Sequence, residues 1–137
     1  MKIAVIGYGG MGTFHTECLK QYAKTGSEPL TLAGIYDIDA SREKAAEANG
    51  LYAYRSADEL LSDKSVGAVI IATPNDVHAE YVKAAAEAGK HVVSEKPIGL
   101  SLRQAEEMYG YAEKAGIVFE VHQNRRWDDD FLTVKNI

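Results

Sequence analysis

The chain has 137 residues, of which 46% are hydrophobic, and a formal net charge of −5 at pH 7. This length and apolar content fit one globular domain with its own core. The acidic balance argues against a nucleic-acid partner, because the pair Arg125 and Arg126 is too small a basic cluster to reverse it. No apolar run reaches transmembrane length, Met1 leads straight into a core segment rather than a signal peptide, and Cys18 is the single cysteine. We therefore expect a cytoplasmic protein without a membrane partner.

The first twelve residues predict a strand that ends in a glycine-rich turn. An apolar run over residues 3–6 precedes Gly7, Gly9 and Gly12, which have the G-x-G-x-x-G spacing. Gly7 allows a sharp exit from the strand, Gly9 lets the backbone approach a pyrophosphate, and Gly12 lets the next helix lie close to the sheet. The free N–H groups of that helix would face the pyrophosphate. Such turns also serve purely structural ends. As a dinucleotide site, the motif comprises Gly7, Tyr8, Gly9, Gly10, Met11 and Gly12.

An acidic residue follows the second predicted strand. Asp37 lies 25 positions after Gly12, beyond the usual spacing of about 20. We attribute the excess to the turn-rich segment 25–29. A carboxylate at this place accepts hydrogen bonds from the adenosine ribose and repels a 2′-phosphate, which favours NAD over NADP.

Two alternatives remain at this strand end. Asp37 or Asp39 could instead merely cap the next helix. Arg42 could reach a 2′-phosphate and so favour NADP. With Ile38, these residues complete the predicted adenosine end of the site.

The first helix carries a continuous apolar stripe, which we expect to face the sheet. Its members are Met11, Phe14, His15, Cys18, Leu19 and Tyr22. Because His15 and Cys18 lie within this stripe, we interpret both as packing residues rather than as a metal ligand and a nucleophile. No metal site is predicted.

The remaining chain alternates between strand and helix patterns. Strands are predicted at residues 3–6, 31–36, 51–54, 66–72, 91–94 and 117–121. Helix starts are predicted at Asp39 or Ser41, Ser56, Pro74 and Ser101. Six strands alternating with helices imply an α/β fold with a doubly wound, parallel six-stranded sheet (a Rossmann fold), most simply in the order 3-2-1-4-5-6.

In such a sheet, ligands lie beyond the carboxyl ends of the strands. After the fourth predicted strand come Ala72, Thr73, Pro74, Asn75 and His78, which would pass beneath the cofactor. For Asn75 the alternative is helix capping. His78 is expected to be either a ligand contact or a solvated first-turn residue.

Glu95, Lys96 and Pro97 follow the fifth predicted strand. The Lys96 ammonium could hydrogen-bond a substrate hydroxyl and favour the alkoxide that forms as a hydride leaves. Glu95 could pair with Lys96 or contact the cofactor ribose, and Pro97 would fix the turn. Charge pairs in loops are common, so a purely structural pair is the alternative.

Taken together, four segments resemble the amino-terminal domain of the Gfo/Idh/MocA family, which includes glucose-fructose oxidoreductase and inositol dehydrogenases. They are Gly7–Gly12, Ala72–His78, Ala88–Pro97 and Gln123–Trp127, and the resemblance covers essentially the whole chain. It implies that Lys96 contacts substrate and cofactor and assists proton transfer. It also implies that Gln123 and Asn124 approach the nicotinamide, with Arg126 and Trp127 as candidate substrate contacts. The N-R-R-W-D motif at residues 124–128 is similar to the motif of a family branch that includes inositol dehydrogenases.

The resemblance also predicts a division of the chain. Residues 1–122 would form the dinucleotide-binding domain, and residues 123–137 would lead from the last strand into a helix and a carboxyl-terminal substrate domain absent from this sequence. In the family, that second domain supplies an aspartate and a histidine of the catalytic site, most of the substrate pocket and the homo-oligomer interface. We therefore expect the 137-residue chain alone to be inactive.

The predicted function is hydride transfer between NAD, in preference to NADP, and a sugar or cyclitol hydroxyl. The alternative is an NAD(P)-sensing regulatory protein without catalysis. Lys96 discriminates between the two, because a sensor needs no proton-handling group beside the nicotinamide.

Overall fold

The computed structural model describes residues 1–25 and 30–137. Its strands are β1 (Lys2–Ile6), β2 (Thr31–Tyr36), β3 (Val66–Ile71), β4 (His91–Ser94) and β5 (Phe119–Val121). Its α-helices are α1 (Gly10–Thr25), α2 (Ala40–Ala48), α3 (Ala57–Ser62), α4 (His78–Glu87), α5 (Leu102–Ala115) and α6 (Asp129–Lys135). Most of the segment held responsible for the long spacing to Asp37, residues 26–29, lies outside the described residues.

The strands form one parallel sheet in the order β2-β1-β3-β4-β5. Ile6 is in register with Tyr36 on one side and with Ile71 on the other, and Ile71 is in register with Ser94. The carboxyl ends of these strands therefore meet at one edge of the sheet. This arrangement confirms the predicted Rossmann fold.

The number of strands differs from the prediction. Instead of a sixth strand, residues 51–54 contribute a single parallel bridge between Ala53 and Ile35. Its two hydrogen bonds run from Ile35 N–H to the Tyr52 carbonyl and from Tyr54 N–H to the Ile35 carbonyl. The pairing ends there because the chain turns at once into α3, whose N-cap is Ser56. The segment nevertheless lies outside β2, where the predicted order places it.

The apolar stripe of α1 is only partly directed at the sheet. The buried residues of this helix are Gly12, His15 and Thr16, whereas Phe14 is 50% exposed and Cys18 is also exposed. The prediction that the whole stripe faces inward is therefore wrong. The reason is the close approach at Gly12, where a Cβ would collide with the Gly7 carbonyl oxygen. Because of this approach, α1 contacts the sheet through the face that carries Gly12, and several larger side chains of the stripe point outward.

Two hydrophobic clusters cover the two faces of the sheet. Val69 and Ile71 of β3 belong to one cluster, and Ala68 and Ile70 belong to the other. Successive residues of a strand point to opposite faces, so an apolar run such as β3 is expected where helices cover both. The central strand thus anchors the sheet edge that carries the candidate site.

The helix starts agree largely with the prediction. Asp39 rather than Ser41 is the N-cap of α2, and Ser56 and Ser101 cap α3 and α5 through their hydroxyl oxygens. Pro74 precedes a 3₁₀ turn over Asn75–Val77, and α4 begins only at His78 without a side-chain cap. Asn75 is therefore not the cap of α4.

Candidate cofactor and active site

A cleft of about 610 Å³ opens at the carboxyl edge of the sheet, beyond β1, β2 and β3. Its lining residues are Ile6, Gly7, Gly9, Gly10, Met11, Tyr36, Asp37, Ile38, Asp39, Arg42, Ala72, Thr73, Pro74, Asp76, Val77 and Tyr81. Burial raises the pKa of the Tyr81 phenol, so this hydroxyl stays protonated and can donate or accept a hydrogen bond. The cleft unites three of the predicted segments: the glycine turn, the end of β2 and most of the 72–78 segment.

The glycines of the turn have different surroundings. Gly7 has φ +94°, and a Cβ there would lie 2.7 Å from the Ala72 carbonyl oxygen, so both its conformation and its space require glycine. Gly12 allows the close approach of α1 described above. Around Gly10, none of the residues that the structure describes has an atom within 4 Å of an added Cβ. The turn therefore brings α1 and β1 together, and it is open to the cleft at Gly10.

Asp37 fixes the glycine turn to the end of β2. The Tyr8 N–H donates to Asp37 Oδ2 at 2.6 Å, and the Asp39 N–H donates to Asp37 Oδ1 at 2.9 Å. The side chain is 8% exposed, and Asp39, not Asp37, caps α2. The capping alternative therefore applies to Asp39. Each Asp37 oxygen retains a second lone pair for a ligand.

Arg42 lies over the glycine turn. Its Nη1 is 2.6 Å from the place where a Cβ of Gly9 would be, and its Nε is 3.7 Å from Asp39 Oδ2. The hydrogen bond from Ser41, with a smaller contribution from the Arg42 charge, lowers the pKa of the Asp39 carboxyl. Ile38, beside them, is 89% exposed. This end of the cleft therefore holds two carboxylates and one guanidinium.

The segment after β3 contains an unsatisfied polar atom. The Thr73 hydroxyl oxygen is buried and has no hydrogen-bond partner in the part of the chain that the structure describes. Buried polar groups are normally paired, so an unpaired hydroxyl at a cleft suits a polar ligand. With the open glycine turn, it gives this cleft the features that a dinucleotide requires.

His78 links two of the predicted segments. Its Nε2 lies 3.0 Å from the Thr73 carbonyl oxygen and its Nδ1 lies 3.1 Å from the Pro97 carbonyl oxygen. The side chain is fully buried, so the solvated alternative is wrong. His78 ties the segment after β3 to the turn after β4, and a direct ligand contact stays a prediction.

Glu95 is the centre of a buried group that we name the carboxylate cluster, formed by His15, Glu95 and His122. Glu95 Oε1 lies 2.8 Å from His15 Nε2 and 2.9 Å from His122 Nδ1. Glu95 Oε2 accepts the Lys96 backbone N–H at 3.3 Å. Burial by itself raises the pKa of Glu95, but the hydrogen bonds from the two histidines outweigh it and lower that pKa below its ordinary value. Glu95 thus contacts Lys96 through the Lys96 backbone, and the predicted charge pair with the Lys96 ammonium is not among the ion pairs of the described residues.

The carboxylate cluster has the donor types that zinc uses. Two ligands on a tetrahedral zinc are about 3.3 Å apart, given zinc–ligand bonds of about 2.0–2.1 Å. The observed 2.8 and 2.9 Å are hydrogen-bond distances instead. One protonated ring nitrogen on each histidine explains them. We therefore describe the cluster as hydrogen-bonded.

The remaining predicted residues lie at the β4–β5 side of the same edge. Lys96 and Pro97 are exposed, as are Gln123 and Asn124 after β5. Arg126 is exposed too, and Trp127 is 78% exposed. These residues do not line the cleft, so the structure brings the site together in two parts. His78 and the carboxylate cluster connect them.

The comparisons with known proteins decide the family. The model of the oxidoreductase family with an NAD-binding Rossmann fold (Gfo/Idh/MocA) matches residues 1–123. The chain belongs to this family. Its strand order and glycine turn are therefore those of a Gfo/Idh/MocA NAD-binding domain, and the nicotinamide dinucleotide is its cofactor class.

Relatives in the Gfo/Idh/MocA family share this region. Myo-inositol 2-dehydrogenase of Thermotoga maritima is 36% identical over 98% of this chain and 40% of its own length. The scyllo-inositol 2-dehydrogenase (NADP(+)) of Bacillus subtilis is 30% identical over 100% of this chain and 37% of its own. A solved NAD-binding protein from Listeria innocua is 41% identical, with a TM-score of 0.90 over 98% of this chain and 39% of its own. The chain thus spans about two fifths of the length of these relatives.

Sequence reasoning missed His122 and gave His15 only a packing role. The signal for His122 was its position, because it directly follows β5 at the ligand-binding edge, one residue before the predicted segment. For His15 the signal was the buried helix face that it shares with Gly12. Within residues 1–25 and 30–137, no helix has the length and apolar character needed to cross a membrane.

Proposed function

We propose that this chain is the cofactor-binding part of a dehydrogenase that oxidises a sugar or cyclitol hydroxyl with NAD. The observation that carries the proposal is the convergence, at one sheet edge, of an open glycine turn with the Asp37 carboxylate and the Glu95–Lys96 turn. NAD supplies a hydride acceptor when bound. The inositol dehydrogenases among the relatives support the class of substrate.

In this proposal the residues of the cleft hold the adenosine and pyrophosphate. The backbone N–H groups at the start of α1 bind the pyrophosphate, and Asp37 accepts hydrogen bonds from the ribose. The unpaired Thr73 hydroxyl provides a further hydrogen bond to the cofactor. Asn75, Gln123 and Asn124 extend the contact toward the nicotinamide.

Lys96 is the proposed catalytic residue. It is exposed just after β4, on a turn whose backbone makes hydrogen bonds with the Glu95 and His78 side chains. Its ammonium hydrogen-bonds the substrate hydroxyl and stabilises the alkoxide as the hydride leaves the carbon for NAD. The hydroxyl proton passes to an acid–base group of the proposed substrate domain. Arg126 and Trp127 are the proposed substrate contacts.

We further propose that residues 1–122 form the cofactor domain and that residues 123–137 lead into a substrate domain. The share of the relatives' length that the chain spans supports this division. That second domain would complete the substrate pocket and provide the interface of a homo-oligomer. Without that domain, residues 1–137 would bind the cofactor but would not turn over substrate.

The Lys96→Ala variant of the complete protein tests the catalytic assignment. We expect turnover to fall about 100-fold or more, because one acid–base group contributes about 10²–10⁴ in rate. NAD affinity should stay near its original value, because the backbone contacts of the glycine turn are intact. Steady-state kinetics and calorimetric titration measure the two quantities separately.

The matched control is Lys114→Ala, which removes an exposed lysine from the last turn of α5. It should leave turnover and affinity unchanged. Equal loss of turnover and affinity in Lys96→Ala would contradict the catalytic role. Full NAD affinity combined with unchanged turnover would assign the stabilisation of the alkoxide to another group.

The charges at the adenosine end support NAD over NADP. A 2′-phosphate carries close to two negative charges and would lie near Asp37 and Asp39. Arg42 is the opposing cation, and it is already 3.7 Å from Asp39. The three groups sum to one negative charge, which repels the phosphate.

We expect NAD to bind at least about tenfold more tightly than NADP. This ratio corresponds to a repulsion of about 1.4 kcal/mol between the 2′-phosphate and the net negative charge of the three groups. Arg42→Gln should weaken NADP further and change NAD affinity much less. Arg55→Gln, an exposed arginine outside the cleft, is the control. Calorimetric titrations with both cofactors measure this. Tighter binding of NADP that is lost in Arg42→Gln would reverse the assignment.

A further inference from the structure

The carboxylate cluster places a buried negative charge at the β4–β5 side of the sheet edge. Glu95 is 5% exposed and lies at the end of β4. His15 reaches it from α1, and His122 reaches it from the end of β5. The three residues come from separate elements, so the position of the charge is set by the packing of the domain.

The net charge of the cluster follows from its hydrogen bonds. Each imidazole needs only one protonated nitrogen to make its bond to Glu95 Oε1, so a neutral ring suffices at both positions. The hydrogen bonds from His15 and His122 outweigh burial and keep the pKa of Glu95 below its ordinary value, so the carboxylate is ionised. With both rings neutral, the cluster carries the carboxylate's charge, solvated by imidazole N–H groups instead of water.

Lys96 is the cationic residue nearest to Glu95 in the sequence, and solvent screens its charge more strongly than it screens the charge of Glu95. Its side chain is exposed, whereas Glu95 is almost fully buried. Exposed charges are attenuated by water and salt, while a buried charge acts through a medium of lower effective dielectric constant. Glu95 therefore acts more strongly than Lys96, charge for charge, on a group bound at this part of the edge.

The location gives this charge a specific target, if the cofactor binds as proposed above. In a Rossmann domain the adenosine half lies near the end of β2, where Asp37 is found, and the nicotinamide half lies across the switch point. The β4 end, and Glu95 with it, is on the nicotinamide half. The nicotinamide ring is cationic in NAD and neutral in NADH.

We propose that the carboxylate cluster selects the oxidation state of the cofactor, favouring NAD over NADH by the attraction between the buried Glu95 carboxylate and the nicotinamide cation. His15 and His122 act through Glu95: they hold the carboxylate in place and keep it ionised. The inference rests on the proposed function, since it requires a nicotinamide dinucleotide in the cleft. Its consequence is a protein that takes up the oxidised cofactor in preference to the reduced one.

The test is the ratio of the dissociation constants for NAD and NADH, measured by calorimetric titration of the protein. In Glu95→Gln this ratio should shift about tenfold toward NADH, because one charge–charge attraction of ordinary strength is lost. A merely structural role would weaken both cofactors together and leave the ratio unchanged. Glu120→Gln is the control, since it removes an exposed carboxylate from β5 without touching the cluster.

His122→Lys provides a second route that keeps Glu95. The His122 side chain is 26% exposed, so the site admits a longer side chain, whose fixed positive charge offsets the carboxylate. This variant should shift the ratio in the same direction as Glu95→Gln, and it decides the question if Glu95→Gln does not fold. Cofactor binding with the original ratio in the folded variants would overturn the inference and leave the proposed function standing. A wild-type protein that binds neither cofactor would overturn both.

Discussion

Gly12 and Gly10 lie two positions apart in the glycine turn and meet very different surroundings. A Cβ on Gly12 would collide with the Gly7 carbonyl oxygen and lie 3.5 Å from Val5 Cγ1. A Cβ on Gly10 would meet no atom of residues 1–25 or 30–137 within 4 Å. Backbone cannot move aside as the end of a flexible side chain can, so the two positions differ in what a methyl group costs.

We predict that Gly12→Ala lowers the free energy of unfolding by about 1–3 kcal/mol or more, as overpacking of a rigid contact does. Gly10→Ala should change it by no more than about 1 kcal/mol, in the stabilising direction, because alanine restricts the unfolded chain and favours the helix. Urea denaturation of both variants measures the difference. Equal costs at the two positions would contradict the packing role assigned to Gly12.

His15 marks the limit of prediction at the scale of a residue. Its burial was predicted correctly from the helix pattern, but its partner was not. Glu95 lies 80 positions away in the sequence, and periodicity says which face a side chain occupies without saying what it meets there. Whether a buried histidine is a packing residue or a hydrogen-bond donor depends on that partner.

The helix ends were predictable because their signals are local. Ser101 has the β conformation of an N-cap and accepts a hydrogen bond from Gln104 N–H at 3.2 Å. The Gln104 side chain in turn accepts the Leu100 N–H at 2.6 Å, and Gly116 ends the helix in the left-handed conformation. All of these contacts join residues within five positions of each other, so one stretch of sequence contains them.

For α5 we expect Ser101→Ala to lower the free energy of unfolding by about 1 kcal/mol, because the Gln104 N–H loses its acceptor. Ser101→Asp should retain most of the stability, since a carboxylate caps as well as a hydroxyl does. Urea unfolding curves compare the three proteins. If the aspartate variant were as unstable as the alanine variant, the loss would lie outside the cap.

The predicted strand at residues 51–54 failed for a reason that belongs to the element scale. Its short apolar pattern is compatible with a strand, yet the structure has one bridge to Ile35. The number of paired residues depends on how soon the chain leaves the sheet edge, and here Ser56 begins a helix directly afterwards. The length of an edge strand depends on tertiary contacts. A short apolar pattern is therefore a weak predictor of how many residues pair.

At the scale of the whole molecule, the sheet edge is held together by contacts between distant parts of the chain. Asp37 binds the glycine turn, His78 joins the ends of β3 and β4, and Glu95 joins α1 to the ends of β4 and β5. Each link connects two of the segments assigned to the site. The polar side chains at this edge thus position the proposed cofactor contacts. They also pair with backbone groups that have no partner where the strands end.

The sequence by itself determined the alternation of strands and helices and the segments that follow each strand. These features follow from local patterns: glycine spacing, apolar periodicity and capping residues. The family was indicated separately, by the resemblance of four segments to its amino-terminal domain. Only the tertiary structure decided which face of α1 meets the sheet, that residues 51–54 make a single bridge, and that His15 and His122 meet on one carboxylate oxygen of Glu95. The physical reason is that close backbone approach and buried hydrogen bonds depend on the relative positions of elements far apart in the chain.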